Sequence, residues 1–378
     1  MNAFSDITFT GMALVDEAIL VAGRGLAHSI NRPDGRPVDE AALIRKGRRI
    51  EPQLHDPAAF EGAERISGRW LFAGDYWPHF GHFLFESLAR LWAVPQIAEP
   101  LDGLLFVAPR GAEWGEIDQN KFQRRMLDIL GIDLPIRVLS APARVERLYV
   151  PEQGCGMGEL AAGTLSFRFF IREALGAGIA PAPDKKIYLT RTGYRLRRGG
   201  IFGEKTVEDL LAAEGYRILS PEAMTIEDQI AAYLGADKVI SSDSSALHMT
   251  GFVGNEDQEV AILLRRLNGA RDLLPQLRAF TGRDPLVVDR IDGYLVREGI
   301  RNTAWASFAE LDLPGVGADL AGAGFIDQPD LWKPMPVRRR RRLLMQFRRR
   351  LNCEILEKGR NEFAWHIPDG STLLADAA

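Results

Sequence analysis

From Lys186 to Leu264 the chain alternates between short β-branched runs and amphipathic segments, and this rhythm restricts the fold more than any other feature. Lys186-Ile-Tyr-Leu-Thr190, Tyr216-Arg-Ile-Leu219, Lys238-Val-Ile-Ser-Ser242 and Val260-Ala-Ile-Leu-Leu264 read as strands. Between them lie helical segments: Lys205 to Glu214, stopped by Gly215; Thr225 to Leu234, with Thr225 and Asp228 at capping-box spacing; and Ala246 to Phe252. Strands separated by single helices require right-handed crossovers, hence a parallel sheet and an α/β fold. Such sheets bind ligands beyond the carboxyl ends of their strands, which here are Thr190-Arg191, Leu219-Ser220 and Ser242-Asp243.

The N-terminal half is also mixed α/β. Strands are expected at Ala18–Ala22, Trp70–Ala73, Leu104–Ala108, Ile136–Leu139 and Arg147–Val150, and helices at Phe83–Val94, Gln119–Leu130 and Thr164–Leu175. The small-residue and proline stretch Gly176–Asp184 reads as a linker. With 378 residues, two domains and a tail are expected: 1–175, 176–300, and an extension over 301–378 carrying a basic amphipathic helix.

The charge is unevenly placed. The chain has a formal net charge of -4, but Arg338–Arg350 holds eight arginines and no acid, so the remainder carries -12. General nucleic-acid binding by the body is therefore not expected, and a localised anionic partner of the tail is. Leu344, Phe347 and Leu351 recur at helical spacing in this segment. Two placements follow: a helix packed on the body, or a helix on an anionic membrane surface with Leu343, Leu344 and Phe347 dipping into the interface. Two cysteines, Cys155 and Cys353, without a Cys-x-x-Cys, exclude a disulfide framework. Met1–Thr10 lacks the pattern of a secretion signal, and no apolar run approaches ~18 residues, so a cytoplasmic protein, at most peripheral on the inner face of a membrane, is expected.

Several chemistries have no motif here. There is no Gly-x-Gly-x-x-Gly, no Gly-Lys pair, no His-Glu-x-x-His, no Gly-x-Ser-x-Gly and no Asp-x-Asp. No cofactor and no metal are expected. Two clusters do carry chemistry. In Gly74-Asp-Tyr-Trp-Pro-His-Phe-Gly-His82, aromatics and histidines crowd a loop that enters a helix, and His82, Glu86 and Arg90 follow at i, i+4 and i+8. One interpretation is a structural Glu86–Arg90 ion pair beside a core histidine. The other is a catalytic base, Glu86 or His82, with Tyr76, Trp77 and His79 at an acceptor sugar. In the second cluster Arg191, Arg197 and Arg198 follow a strand end and suit a diphosphate, and Ser244, Ser245, Ala246 and His248 line a helix start suited to an anion.

These two blocks, GDYWPHFGHFLFESLARLWAV and the stretch from KIYLTRTGYRLRRGG to SSDSSALHMTGF, resemble glycosyltransferase family 61 of the bacterial, polysaccharide-biosynthesis type. The resemblance covers roughly residues 70 to 265. Two departures stand out: the family's Asn-Glu is Gly203-Glu204 here, and its His-Gly-Ala-Gly-Leu loop is Ser244-Ser-Ala-Leu-His248. The resemblance implies a GT-B-like fold, two Rossmann-like domains facing a cleft. It also implies an inverting, metal-independent hexosyl- or pentosyltransferase that moves a sugar from a nucleotide sugar to a glycan or lipid-linked acceptor. A sugar-nucleotide epimerase or hydrolase, and a non-catalytic sugar-binding protein at the membrane, are the alternatives.

Overall fold

The computed structural model describes residues 11–22, 28–108, 121–193, 199–299 and 306–362. The chain divides into two compact units, Met1–Gly178 with Gly251–Val253, and Ile179–Thr250 with Gly254–Ala378.

The first unit is built on strands β1 (Met12–Val21), β2 (Ser29–Asn31), β5 (Glu64–Asp75), β6 (Gly103–Val107), β7 (Ile136–Leu139) and β8 (Ala143–Pro151), with a separate hairpin of β3 (Leu43–Arg45) and β4 (Arg48–Ile50). The sheet order is β2-β1-β8-β5-β6-β7. β1 pairs antiparallel with β2 and β8, whereas β8, β5, β6 and β7 run parallel. Leu20, Phe72, Leu105, Val145 and Leu148 fill one core on this sheet. The central strand β5 ends at Asp75, so the aromatic loop Tyr76–His79 leaves the carboxyl end of a parallel strand. Tyr76 N–H continues the ladder onto Val107 O at 3.0 Å.

The helix expected over Phe83–Val94 is not regular. The chain makes one α turn, α1 (Phe80–His82), then a π-helical turn over Phe83–Ser87, then a 3-10 turn over Leu91–Gln96 that contains Pro95. Proline at 95 lacks the N–H that a continuing α-helix needs. The helices α2 (Phe122–Ile129) and α3 (Leu165–Ala174) complete the unit, the latter capped by Thr164 Oγ1 accepting from Phe167 N–H.

The second unit contains the expected parallel sheet. β9 (Lys186–Leu189), β11 (Arg217–Leu219), β12 (Lys238–Ser242), β13 (Glu259–Leu263) and β14 (Leu286–Val288) lie in the order β11-β9-β12-β13-β14, every pair parallel. The helices α4 (Glu204–Ala213), α5 (Ile226–Gly235), α6 (Ala246–Val253) and α7 (Leu273–Thr281) follow in chain order. Thr225 Oγ1 caps α5 by accepting from Asp228 N–H at 3.1 Å. A second sheet, β10-β16-β15-β17, uses β10 (Gly200–Ile201), β15 (Ile291–Arg297), β16 (Phe308–Leu311) and β17 (Ile355–Gly359).

The described part of the C-terminal segment, residues 306–362, is packed into this unit. In α8 (Leu313–Gly322), Leu313, Val316 and Leu320 pack with Phe325, Ile326 and Trp332 into the same core as Tyr188, Ile240 and Ala261. The basic helix forms as α9 (Val337–Leu351), but its apolar stripe is already occupied. Leu344 and Phe347 are buried against Phe202, Leu295, Phe308 and Ile355, and Leu343 packs at the edge of that cluster. Side chains held in a core cannot also enter a lipid interface, so the expected dipping of Leu343, Leu344 and Phe347 is corrected. Among the described residues, no helix is long and apolar enough to cross a membrane.

Candidate functional site

In the first unit, the site begins with a tight turn. The β3–β4 hairpin turns through Lys46 and Gly47, both with positive φ (51° and 78°), the backbone that suits two-residue hairpins. Three backbone donors anchor it: Ile44 N–H to Gln153 Oε1 at 2.9 Å, Lys46 N–H to Met157 O at 2.8 Å, and Gly47 N–H to Glu159 Oε2 at 2.9 Å. This fixes Arg45, whose Nε donates to Glu86 Oε1 at 2.6 Å. The other carboxylate oxygen, Glu86 Oε2, lies 2.5 Å from His82 Nδ1.

Glu86 is thus clamped between two cations or proton donors, with 3% of its side chain exposed against 15% for Arg45 and 24% for His82. Burial pushes the Glu86 carboxyl up, but the His82 hydrogen bond and the Arg45 charge outweigh it and hold the group below its ordinary value. Glu86 is therefore a carboxylate at neutral pH. Because a carboxylate only accepts, His82 Nδ1 carries the proton, and Nε2 on the opposite edge of the ring is left as the basic nitrogen.

The expected Glu86–Arg90 pair does not form. Arg90 is buried and turns the other way, donating to the carbonyls of Glu40 (2.7 Å), Ala41 (3.1 Å), Ala42 (2.8 Å) and Pro151, with Phe72 beneath its guanidinium at 5.1 Å. Burial pushes it down to about 10, against the pull of Asp75 and Glu152. The irregular helix explains the split: the π turn keeps His82 and Glu86 in register but ends before Arg90, which lies between turns.

Tyr76 is a core side chain, edge-on to Phe83 and Phe106 at 5.9 and 5.2 Å, and burial pushes its phenol up to about 12. Its ring faces are not open to a sugar, which corrects the acceptor role expected for it. Trp77 is half-buried and lies against both partners of Glu86, 5.3 Å from the Arg45 guanidinium and 5.0 Å from the His82 ring. His79 packs on His82, centroids 5.4 Å apart. In this cluster, Arg45 is the residue that sequence reasoning missed. Its signal was the Arg-Lys-Gly-Arg hairpin turn, 41 residues away from its partner.

The second cluster lies at the carboxyl edge of the parallel sheet. Strand register puts Leu189 beside Ser241 and Ser242 beside Leu263, so Arg191 and Asp243 emerge at one level from adjacent strands, and Arg265 one residue beyond that level from the next. Arg191 is set by buried acids on α4. Glu204 Oε1 accepts from Arg191 N–H and from Tyr188 Oη, both at 2.9 Å, while Glu208 Oε1 accepts from Thr190 Oγ1 (2.5 Å) and Thr192 Oγ1 (2.7 Å). Burial raises Glu204, and these donors offset it only in part. The expected donor residues Arg197 and Arg198 lie outside the described residues.

Ser244 is buried, and Ser245, the residue before α6, makes no side-chain cap; Ala246 begins the helix. His248 Nδ1 meets Gln276 Oε1 at 2.5 Å, and Gln276 Nε2 donates to His248 O at 3.3 Å. Sequence reasoning missed Arg265 and Arg266. Both are tied to the fully buried Asp243, Arg266 Nε at 2.8 Å from Oδ2 and Arg265 Nε at 3.2 Å from Oδ1. Burial pushes Arg265 down to about 9; Asp243 opposes this, and Arg266 and Arg191 add to it. Arg191, Arg265 and Arg266 thus share one sheet edge with Asp243, and the buried Glu204 adds its charge in favour of Arg265. Among the described residues, no group of three or more His, Cys, Asp or Glu side chains could hold a metal ion.

Residues 80–260 match the family model described as Glycosyltransferase 61. The matched span contains His82, Glu86, Arg191 and the Ser244–His248 segment, and leaves Arg45, Arg265 and Arg266 outside it. The match supports glycosyl transfer as the class of activity, with a sugar donor and an acceptor as substrates. No curated protein matches the chain.

Proposed function

We propose that the protein is an inverting glycosyltransferase in which His82 is the base and Glu86 the carboxylate that orients it. The observation that carries this is the 2.5 Å contact between His82 Nδ1 and a buried Glu86 already held by Arg45. A carboxylate kept below its ordinary value by the His82 N–H and the Arg45 guanidinium is a poor proton acceptor. The same carboxylate behind an imidazole fixes the tautomer and stabilises the imidazolium that forms when Nε2 takes a proton. In this reading Nε2 takes the proton of the acceptor hydroxyl as its oxygen attacks the anomeric carbon. The bond from that carbon to the diphosphate oxygen breaks, and configuration inverts.

The leaving diphosphate needs preorganised positive charge. Arg191, the start of α6 and His248 are the groups assigned to it, in a unit taken as the donor half of a GT-B-like enzyme. The donor is a nucleotide sugar and the acceptor a glycan or a lipid-linked saccharide, with no metal in the catalytic step and a role in surface polysaccharide synthesis on the cytoplasmic side.

The test starts with thermal shifts against a panel of nucleotide sugars, since a ligand at 100 times its dissociation constant stabilises by about 2.7 kcal/mol. The stabilising donor is then incubated with candidate acceptors, wild type beside His82→Ala. Loss of turnover by about 10²–10⁴-fold with donor binding intact is expected. A donor consumed equally fast without any acceptor identifies a hydrolase instead, and full turnover by His82→Ala removes His82 from the mechanism.

A further inference from the structure

The helix α9 is amphipathic, and the core explains only one side of it. Arg340 is the arginine of its first turns that the fold employs, forked onto Glu310 at 2.6 and 2.5 Å and reaching Glu357 at 2.7 Å. Arg348 is also turned inward, to Ile355 O at 3.3 Å. The other six, Arg338, Arg339, Arg341, Arg342, Arg349 and Arg350, are exposed, and none of them has an ion-pair partner among the described residues. Arg338, Arg341, Arg342 and Arg349 stand at i, i+3, i+4 and i+11, one line along the helix. Arg339 and Arg350, each one residue further on, run beside it.

This arrangement is unfavourable for an isolated helix. Four uncompensated arginines occupy the end where the helix dipole is positive, and the first turn contains no acid. Neighbours three and four apart repel. Nothing in the core requires arginine at these positions, since Leu344 and Phe347 supply the packing. Local rules broken on a solvated face, with no gain inside the fold, are expected where a ligand supplies the missing charge.

We propose that the outer face of α9 docks the protein on an anionic lipid surface by charge alone, without insertion. The helix has 15 residues, about 22 Å, and offers its guanidinium groups along one side, the shape of a contact with a plane. Guanidinium forks suit phosphate oxygens. Among the described residues the face carries no aromatic ring on which a base could stack; its exposed apolar members are Val337, 65% exposed at the start of the helix, and Met345, 55% exposed between the arginines. The remainder of the chain is acidic, so an anionic surface attracts this segment and repels the rest, which sets one orientation. The surface lies outside the Glycosyltransferase 61 match and does not depend on the catalytic reading.

The test is co-sedimentation of the full chain with vesicles of about 70% phosphatidylcholine and 30% phosphatidylglycerol, beside pure phosphatidylcholine. Binding to the anionic vesicles alone is expected, falling steeply as salt rises from about 0.01 to 0.15 M. At about fivefold per arginine, the quadruple variant Arg338→Gln, Arg339→Gln, Arg341→Gln, Arg342→Gln should bind several hundredfold more weakly. The matching four Arg→Lys changes should keep most of the binding, which controls for folding. Met345→Gln should bind as wild type. Equal binding to neutral vesicles, wild-type binding by the glutamine variant, or loss with Met345→Gln would each overturn the proposal. So would tighter binding to a single-stranded oligonucleotide than to the anionic vesicles.

Discussion

The substitution Glu86→Gln separates a base from the residue that orients it, because the structure dictates which way the new amide faces. Arg45 Nε donates to Oε1 at 2.6 Å, and a guanidinium cannot accept. The amide oxygen of the variant must therefore remain towards Arg45, and its NH2 takes the place of Oε2, 2.5 Å from His82 Nδ1 in the wild type. An NH2 donates, so Nδ1 must become the acceptor and the ring proton moves to Nε2. The nitrogen that should receive the acceptor's proton is then already protonated. The change is nearly isosteric, so the core should hold, but His82 is left in the wrong tautomer.

The expected loss is the contribution of a general base, about 10²–10⁴-fold in kcat, with KM little changed. His82→Ala should lose as much, and the double variant no more than either single, because both remove one unit. The assay is release of nucleoside diphosphate from the stabilising donor at saturating acceptor. A nitrogen-15 spectrum of the histidine side chains provides a second readout without substrate: His82 should carry its proton on Nδ1 in the wild type and on Nε2 in Glu86→Gln. Wild-type turnover by Glu86→Gln, or losses that multiply in the double variant, would refute the argument.

Three further outcomes follow from the same contacts. Arg45→Met leaves a buried carboxylate with one partner and should cost about 2–4 kcal/mol in urea unfolding at about pH 7. Glu86 sits below its ordinary value of 4.5 in the folded state, so the stability it contributes is full above that value and drains as pH falls through the lower folded value; the cost of Arg45→Met should shrink as pH falls below 4.5. Gly269→Ala would place a methyl 1.7 Å from Asp243 Oδ2 and push the carboxylate off Arg266, a loss of about 1–3 kcal/mol read by the same melts. Arg191→Ala should weaken binding of the free nucleoside diphosphate as much as of the sugar nucleotide, measured by calorimetry; unchanged diphosphate affinity would move Arg191 out of the donor site.

Four of the five strands of the parallel sheet in the second unit were legible because each is a run of β-branched and apolar residues closed by a turn or a cap, with Thr225 before α5 and Gly215 after α4; the edge strand β14 was not expected. Local signals of that kind name an element but not its neighbours. Arg45 could not be linked to Glu86 from sequence, since their contact depends on a hairpin held by Gln153, Met157 and Glu159, more than a hundred residues downstream. The segment Phe83–Val94 misled for the opposite reason. Its apolar pattern suits a helix, and only the π turn and the 3-10 turn at Pro95 decide that Arg90 faces four carbonyls rather than Glu86. Tyr76 carried no sign of its burial, because an aromatic at a strand end serves a core and a sugar site equally well. The basic stretch at the C-terminus was legible as a helix; which of its faces was in use was not, because the partners of Leu344 and Phe347 come from β15, β16, β17 and Phe202.

The two histidines differ in what stands behind them, and that difference separates their roles. His82 has a carboxylate at Nδ1, whereas His248 has the amide of a fully buried Gln276. Because Gln276 Nε2 is committed to His248 O, its Oε1 faces the ring, and Nδ1 of His248 must be the donor. Nε2 of His248 can then hydrogen-bond a diphosphate oxygen only when it too is protonated, since a neutral Nε2 and the phosphate oxygen are both acceptors. If His248 is a ligand of the diphosphate, affinity for inorganic pyrophosphate must fall as the imidazole loses its proton, by up to about tenfold per pH unit. Backbone N–H groups of Ser245 and Ala246 do not titrate, so anion binding at the start of α6 has no such dependence of its own. The measurement is calorimetric titration with pyrophosphate between about pH 5.5 and 8.5, wild type against His248→Ala; the titration of pyrophosphate itself is common to both and cancels in the ratio. A ratio that is large in acid and approaches one in base assigns His248 to the anion. A ratio that does not change with pH leaves the anion to the helix start and to Arg191, and His248 to its clamp with Gln276.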